Sequence, residues 1–206
     1  MPDALEIEIK YAIADPHEFR ARLLQAGARS EGSHFEDNFR LDDARSSLAQ
    51  GGRVLRIRRV EVPGADAHTL LTVKVPAVAD GFPARREIEL AVEDATLALA
   101  ALQALGFRVY WRYQKRRETF RWGDLEVVLD ELPFGYFAEL EGPPAAIRAG
   151  VAALHLDPSE GLLVSYAQLA AHVSALQGLP LADMTFEEYT GGLVDVEAYA
   201  GLRGLP

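Results

Sequence analysis

The sequence predicts an α+β fold: an antiparallel β-sheet of about eight strands that closes or nearly closes into a barrel, with a polar, charged lumen and helices packed outside. Segment after segment alternates at strand period two, with one apolar face and one nearly pure charged stripe. The intervening helical segments carry apolar stripes that need the apolar strand faces to pack on. The charged stripes hold Arg and Lys on some strands and paired acids on others, with hardly any of the Ser, Thr, Asn and Gln of a solvated surface. A sheet with one face in water explains any single strand. The whole set is better explained by a lumen, and buried charges there must pair with each other, with a metal or with a highly charged ligand.

The chain opens on Leu5-Glu6-Ile7-Glu8-Ile9-Lys10, which places Glu6, Glu8 and Lys10 on one face. Asp15-Pro16 then starts a helix over 16–27, where Phe19, Leu23 and Leu24 fall at helical spacing and Gly27 is the stop. Residues 34–41 read as a second strand, followed by a polar loop containing Gly51-Gly52. Strands near 53–62, 68–76 and 84–92 are separated by the turn signals Pro63-Gly64 and Asp80-Gly81. In these strands Arg56 and Arg58 oppose Leu55 and Ile57, Lys74 opposes Val73 and Val75, and Arg85, Glu87 and Glu89 oppose Ile88 and Leu90. Glu93-Asp94 and the run Leu97, Leu99, Leu102 and Leu105 mark a second helix that stops at Gly106.

Strands near 107–122 and 124–131 are joined by Trp122-Gly123-Asp124, and another covers 136–141. Lys115 and Arg117 share a face, as do Glu126 with Asp130 and Glu139 with Glu141. Pro143-Pro144 opens a helix to about 154, and Pro158 introduces a longer one to about Gln177. The domain is expected to span 1–178. Residues 179–206, with Leu-Pro punctuation and Gly191-Gly192, read as a C-terminal appendage with one short helix near 185–190, packed on the domain or on a second subunit.

A chain of 206 residues, 49% hydrophobic and 25% charged, has enough apolar surface for one substantial core. Its net charge of -10 argues against nonspecific binding to nucleic acid or anionic membrane, while leaving room for a local basic pocket. The absence of cysteine excludes disulfides, thiolate metal ligands and Cys nucleophiles. The first strand begins within five residues and no apolar run approaches a membrane span, so a cytoplasmic location is expected. Walker-type loops, His-Glu-x-x-His and Cys-x-x-Cys do not occur. His17, His34, His68, His155 and His172 are scattered and read as surface or partly packed residues. Tyr110, Trp111 and Tyr113 could stack on a base, but core or interface packing is the expectation.

Together these stripes resemble the CYTH superfamily, also called the triphosphate tunnel metalloenzymes. Its hallmark Glu-x-Glu-x-Lys stands here as Glu6-Ile7-Glu8-Ile9-Lys10. It is followed in order by Leu55-Arg56-Ile57-Arg58, Thr72-Val73-Lys74-Val75-Pro76, Arg85-Arg86-Glu87-Ile88-Glu89, Lys115-Arg116-Arg117, Asp130-Glu131, Phe137-Ala138-Glu139-Leu140-Glu141 and Ser165-Tyr166. Around 35–39 the family often shows Asp-Thr-Tyr-Phe-Asp; Asp37 and Phe39 match, whereas Arg40 and Leu41 depart, and no detailed role is carried over to that strand.

The resemblance implies a lumen that holds a small-molecule triphosphate. Lys10, Arg56, Arg58, Lys74, Arg85, Lys115 and Arg117 would bind phosphate, Arg by bidentate contacts and Lys as a point charge. Glu6, Glu8, Asp130, Glu139 and Glu141 would hold one or two Mg or Mn ions, with Glu6, Glu8 and Lys10 catalytic. Glu87, Glu89 and Glu126 read as lumenal salt-bridge partners. The implied activity is metal-dependent hydrolysis of a linear triphosphate, inorganic or organic. The alternatives are a class IV adenylate cyclase, which forms cyclic AMP and pyrophosphate from ATP, and a noncatalytic polyphosphate- or nucleotide-binding module. A homodimer is suggested by the resemblance alone.

Overall fold

The computed structural model describes residues 3–79 and 82–204, so the Asp80-Gly81 turn signal lies outside the described residues. The strands are β1 (Asp3–Ile13), β2 (Arg29–Asp42), β3 (Val54–Glu61), β4 (His68–Ala79), β5 (Phe82–Val92), β6 (Arg108–Trp122), β7 (Leu125–Leu132) and β8 (Gly135–Glu141). They are antiparallel throughout and close into a ring in the order β1-β5-β4-β3-β2-β6-β7-β8. Helices α1 (Pro16–Gln25), α2 (Ser47–Gln50), α3 (Ala95–Ala104), α4 (Pro144–Ala153) and α5 (Tyr166–Gln177) complete the α+β architecture.

The period-two pattern decides which way each strand faces. The outward apolar residues Ile9, Tyr11, Phe120, Val127, Leu129, Ala138 and Leu140 form one core with Phe19 and Leu23 of α1 and Ile147 and Val151 of α4. A fully buried side chain such as Phe19 or Leu140 contributes roughly 1.5–3 kcal/mol. On the opposite side Leu41, Leu55 and Ile57 pack under Ala98, Leu99 and Leu102 of α3. The start signals act as capping groups: Asp15 accepts from the backbone N–H of His17 and Glu18, and Asp94 from that of Leu97.

The expected helix from Pro158 to Gln177 is broken. A short 3-10 turn at Pro158–Glu160 is followed by an extended stretch, and α5 starts only at Tyr166, after a capping box made by Ser165 and Gln168. The cause lies in β1, whose residues Asp3–Ile7 pair with β5 while Glu8–Ile13 pair with β8. At Lys10 the chain after the 3-10 turn forms a bridge, Leu162 N–H donating to the Lys10 carbonyl at 2.7 Å. Gly161 permits this approach, because a Cβ there would sit 2.6 Å from Ile9 Cδ1.

At one end of the ring Trp111, Tyr113, Leu132 and Phe137 form a core with Tyr166, Leu169, Ala170 and Val173 of α5. The segment after Gly178 joins this core through Met184 and Tyr199, and Val194 N–H donates to the Phe134 carbonyl. In place of the expected helix near 185–190 there is a turn, and a 3-10 helix covers Val196–Leu202. The expected second strand is longer than 34–41, and its following loop contains α2, held where Asp42 accepts from the N–H groups of Leu48 and Ala49. Among the described residues no helix is long and apolar enough to cross a membrane.

Candidate active site in the lumen

The inward stripes meet in a cavity of about 270 Å3. It is lined by Glu6, Glu8, Lys10, Arg56, Arg58, Lys74, Arg85, Lys115, Arg117, Glu139 and Glu141, and Asp130 lies immediately behind them in contact with Lys115 and Arg117. Ring closure therefore brings together every side chain singled out from the sequence. Glu87, Glu89 and Glu126 line the same cavity. Lys74 is held between Glu6 at 2.6 Å and Glu87 at 3.1 Å, Glu89 accepts from Thr72 at 2.8 Å, and Glu126 accepts from Arg121 at the exposed rim.

The basic wall runs along β2, β3 and β6. Its organiser was missed in the sequence: Glu36, 0% exposed, accepts from Arg58 at 3.4 Å and Asn38 at 3.2 Å, and faces Lys115 at 3.4 Å and His34 at 3.1 Å. Burial opposes its charge, but Lys115, the His34 contact, Arg117 and Arg56 outweigh it and hold the carboxyl well below the usual carboxylate range. The signal was available, because His34, Glu36, Asn38 and Arg40 make a fully polar inward stripe of the same period-two kind.

Asp130, expected among the metal ligands, is engaged instead by donors: Arg117 at 2.6 and 2.7 Å, Lys115 at 3.2 Å and the Tyr166 hydroxyl at 2.7 Å. In this arrangement it fixes cations to the wall. Glu139 is shared between Lys10 at 2.7 Å and Arg117 at 2.6 Å. Burial works against the Lys10 ammonium, yet Glu139 and Glu8 more than compensate and raise its pKa. The same attraction, with Arg117 and Lys115, holds Glu139 well below its ordinary value despite burial.

The opposite end of the lumen is acidic and under-compensated. Glu8, Glu141 and Glu126 are register partners on β1, β8 and β7, and Glu6 stands beside Arg85 of β5. Burial, together with repulsion from Glu6, Glu126 and Glu8, pushes the Glu141 carboxyl up to about 8. Two residues along one strand thus separate a carboxylate held by cations from one crowded by anions.

The aromatics follow the core expectation in part. Trp111 and Tyr113 are buried and stacked at 4.5 Å, while Tyr110 is exposed on the outside. Tyr113 also reaches the cavity, where its hydroxyl accepts from Arg56 at 3.3 Å. Tyr166 of α5 enters the cavity with Lys10 4.6 Å and Lys115 5.6 Å from its ring centre.

Comparison with known proteins agrees with this geometry. A candidate adenylate cyclase of Methanocaldococcus jannaschii is 27% identical over 138 residues, covering 66% of this chain and 76% of that protein. A solved Vibrio parahaemolyticus protein, also described as a candidate adenylate cyclase, superposes with a TM-score of 0.69 at 23% identity, covering 81% of this chain and 98% of the other. A Hippeastrum protein superposes with a TM-score of 0.59 at 17% identity over 86% of this chain and 98% of its own; it is described as a candidate adenylyl cyclase with a dominant triphosphatase activity. At these identities the two superpositions speak for the fold. The sequence profile of the CYTH domain matches residues 4–156, from the first acidic strand past the last, and the chain belongs to the CYTH domain family.

Proposed function

We propose that this protein hydrolyses a linear triphosphate inside the lumen with the help of a divalent metal ion. The observation that carries this reading is the pairing, in one cavity, of a basic wall of Lys and Arg with an acidic end whose carboxylates repel one another. A chain of phosphates suits the first and a hard cation the second.

Arg56, Arg58, Lys115 and Arg117 would bind the phosphate oxygens, Arg56 held beforehand by Glu87 and the other three by Glu36 and Asp130. Lys74 and Arg85 would close on the phosphates from β4 and β5, and Lys10 from β1. Among the described residues no three acidic or histidine side chains already form a closed metal cage. The donor set still fits Mg or Mn, which binds through one or two carboxylates and substrate phosphates and keeps several waters. Glu6, Glu8 and Glu141 would hold it, with Glu139 at their border. A bound ion would neutralise charge on the reacting phosphate. Water then forms the new P–O bond, the bridging P–O bond breaks, diphosphate leaves with the electron pair, and the proton of water is released.

The same lumen would serve a cyclase if the ribose 3'-hydroxyl of ATP replaced water as nucleophile. Incubation with tripolyphosphate or ATP and Mg or Mn, measuring phosphate and cyclic AMP, decides between them. The expected result is phosphate release that is lost in Glu6→Ala and Glu8→Ala. Cyclic AMP with pyrophosphate would overturn hydrolysis in favour of the cyclase, and binding without turnover would leave a noncatalytic module.

A further inference from the structure

One cation in the lumen belongs to none of these assignments. Arg40 of β2 stands where the chain departs from the family pattern, lines the cavity, and pairs in register with Arg56 on one side and Trp111 on the other. Its buried Nε has no hydrogen-bond partner, and neither do those of Arg56 and Arg58. Arg58 has Glu36 at 3.4 Å and Arg56 has Glu87 at 3.6 Å. Among the described residues Arg40 faces no carboxylate within ion-pair distance, and its guanidinium lies 6.0 Å from the ring of Tyr110. Adjacent guanidiniums lining one cavity, one of them without a carboxylate, favour an anion that offsets their repulsion.

The position of Arg40 along the lumen gives that anion a place on the substrate. The inward residues of β6 run Trp111, Tyr113, Lys115, Arg117, and those of β8 run Phe137, Glu139, Glu141. Tyr113 and Phe137 both contact Tyr166, which marks one end of the cavity. Arg40 is level with Trp111 at that aromatic end, and Glu141 is at the other. The aromatic rings that line the cavity are already engaged: Tyr113 is stacked on Trp111, and the Tyr166 ring has Lys10 and Lys115 at 4.6 and 5.6 Å from its centre and packs against Phe137.

We infer that Arg40 is a specificity-determining residue: with Arg56 it takes the unesterified phosphate group at the substrate end away from Glu6, Glu8 and Glu141, and so selects inorganic tripolyphosphate over esterified triphosphates such as ATP. This rests on reading the lumen as a triphosphate site. An unesterified terminal phosphate carries about -1.5 to -2 charge at neutral pH, more than the singly ionised esterified one. Tripolyphosphate has such a group at both ends. ATP has a single free end, and can offer it to the acidic end or to Arg40 but not to both.

The test is calorimetric titration of the full-length protein in EDTA with sodium tripolyphosphate and with ATP, where turnover plays no part. Tripolyphosphate is expected to bind at least about ten-fold tighter than ATP, and Arg40→Gln to lose about ten-fold for tripolyphosphate while ATP changes less than about three-fold, as loss of one charge-assisted contact implies. Arg40→Lys should retain part of the preference, and Arg40→Met carries the same expectation as Arg40→Gln if that variant fails to fold. Equal binding of the two ligands, equal weakening of both in Arg40→Gln, or no binding of either overturns the inference. Phosphate release is read separately: none from any triphosphate with Mg or Mn overturns the hydrolase reading, while the binding ratio still decides the role of Arg40.

Discussion

The two ends of the charge pattern in this lumen are built from the same residue types and held in opposite states. On the basic wall each buried carboxylate is surrounded by donors, as Glu36 is by Arg58, Lys115 and His34, and Asp130 by Arg117, Lys115 and Tyr166. At the acidic end Glu141 has Glu6, Glu126 and Glu8 for neighbours, and Lys74 as a weaker counter-charge. In the first arrangement every carboxylate is fully engaged, which would keep long cationic side chains oriented at low entropic cost for the proposed polyanion. The second is left incomplete, as the proposed cation site requires.

The sharpest way to break this contrast is Glu36→Gln. Removing the charge takes from Arg58 its carboxylate and leaves Lys115 with Asp130 alone, so a loss of about 3–5 kcal/mol of unfolding free energy is expected in chemical denaturation. A change below about 1 kcal/mol would show that the wall does not depend on its buried acid. Tyr166→Phe is milder, removing one donor from Asp130 while leaving the Arg117 and Lys115 contacts. It should cost about 1–3 kcal/mol by the same measurement.

Glu141→Gln should act in the other direction. The Glu141 pKa is raised to about 8 in the folded protein, against a usual 4.5, so the folded state binds more protons between these values. That stabilisation is fully present below the unfolded pKa and is lost as pH rises through the folded one. Without metal, Glu141→Gln should therefore remove part of the decline in melting temperature of the native protein between pH 5 and pH 8, and its gain over the native protein should be larger at pH 8. Parallel melting curves for the two proteins across that range would count against the crowded acidic end. The smallest effect belongs to Arg121→Ala at the exposed rim, where loss of the Glu126 contact at 2.7 Å should cost under about 1 kcal/mol.

Much of this was legible along the chain because strand period is a local property. Alternation in Leu5-Glu6-Ile7-Glu8-Ile9-Lys10 already places Glu6, Glu8 and Lys10 on one face, and the apolar stripes of α1 and α4 already require a partner. The strand of Glu36 obeyed the same rule and was passed over, because its charges are interleaved with Asp37 and Phe39, which match the family pattern on the outward face. The break before α5 could not be read from helical spacing, because Leu162 leaves the helix to bridge Lys10, a partner far away in sequence. The course of the chain after Gly178 was equally hidden, since Met184 and Tyr199 find their places beside Tyr113 and Phe137, partners far away in sequence.

By itself the sequence determined which face of each strand is charged, and therefore that the charges share an interior once the sheet closes. Only the tertiary structure decided who pairs with whom. Glu139 and Glu141 share a strand and a face, yet ring closure sets the first between Lys10 and Arg117 and the second against Glu8 and Glu126. The physical reason is that a side chain's direction follows from backbone period alone, whereas its electrostatic state depends on distances between strands that the chain's local pattern does not contain.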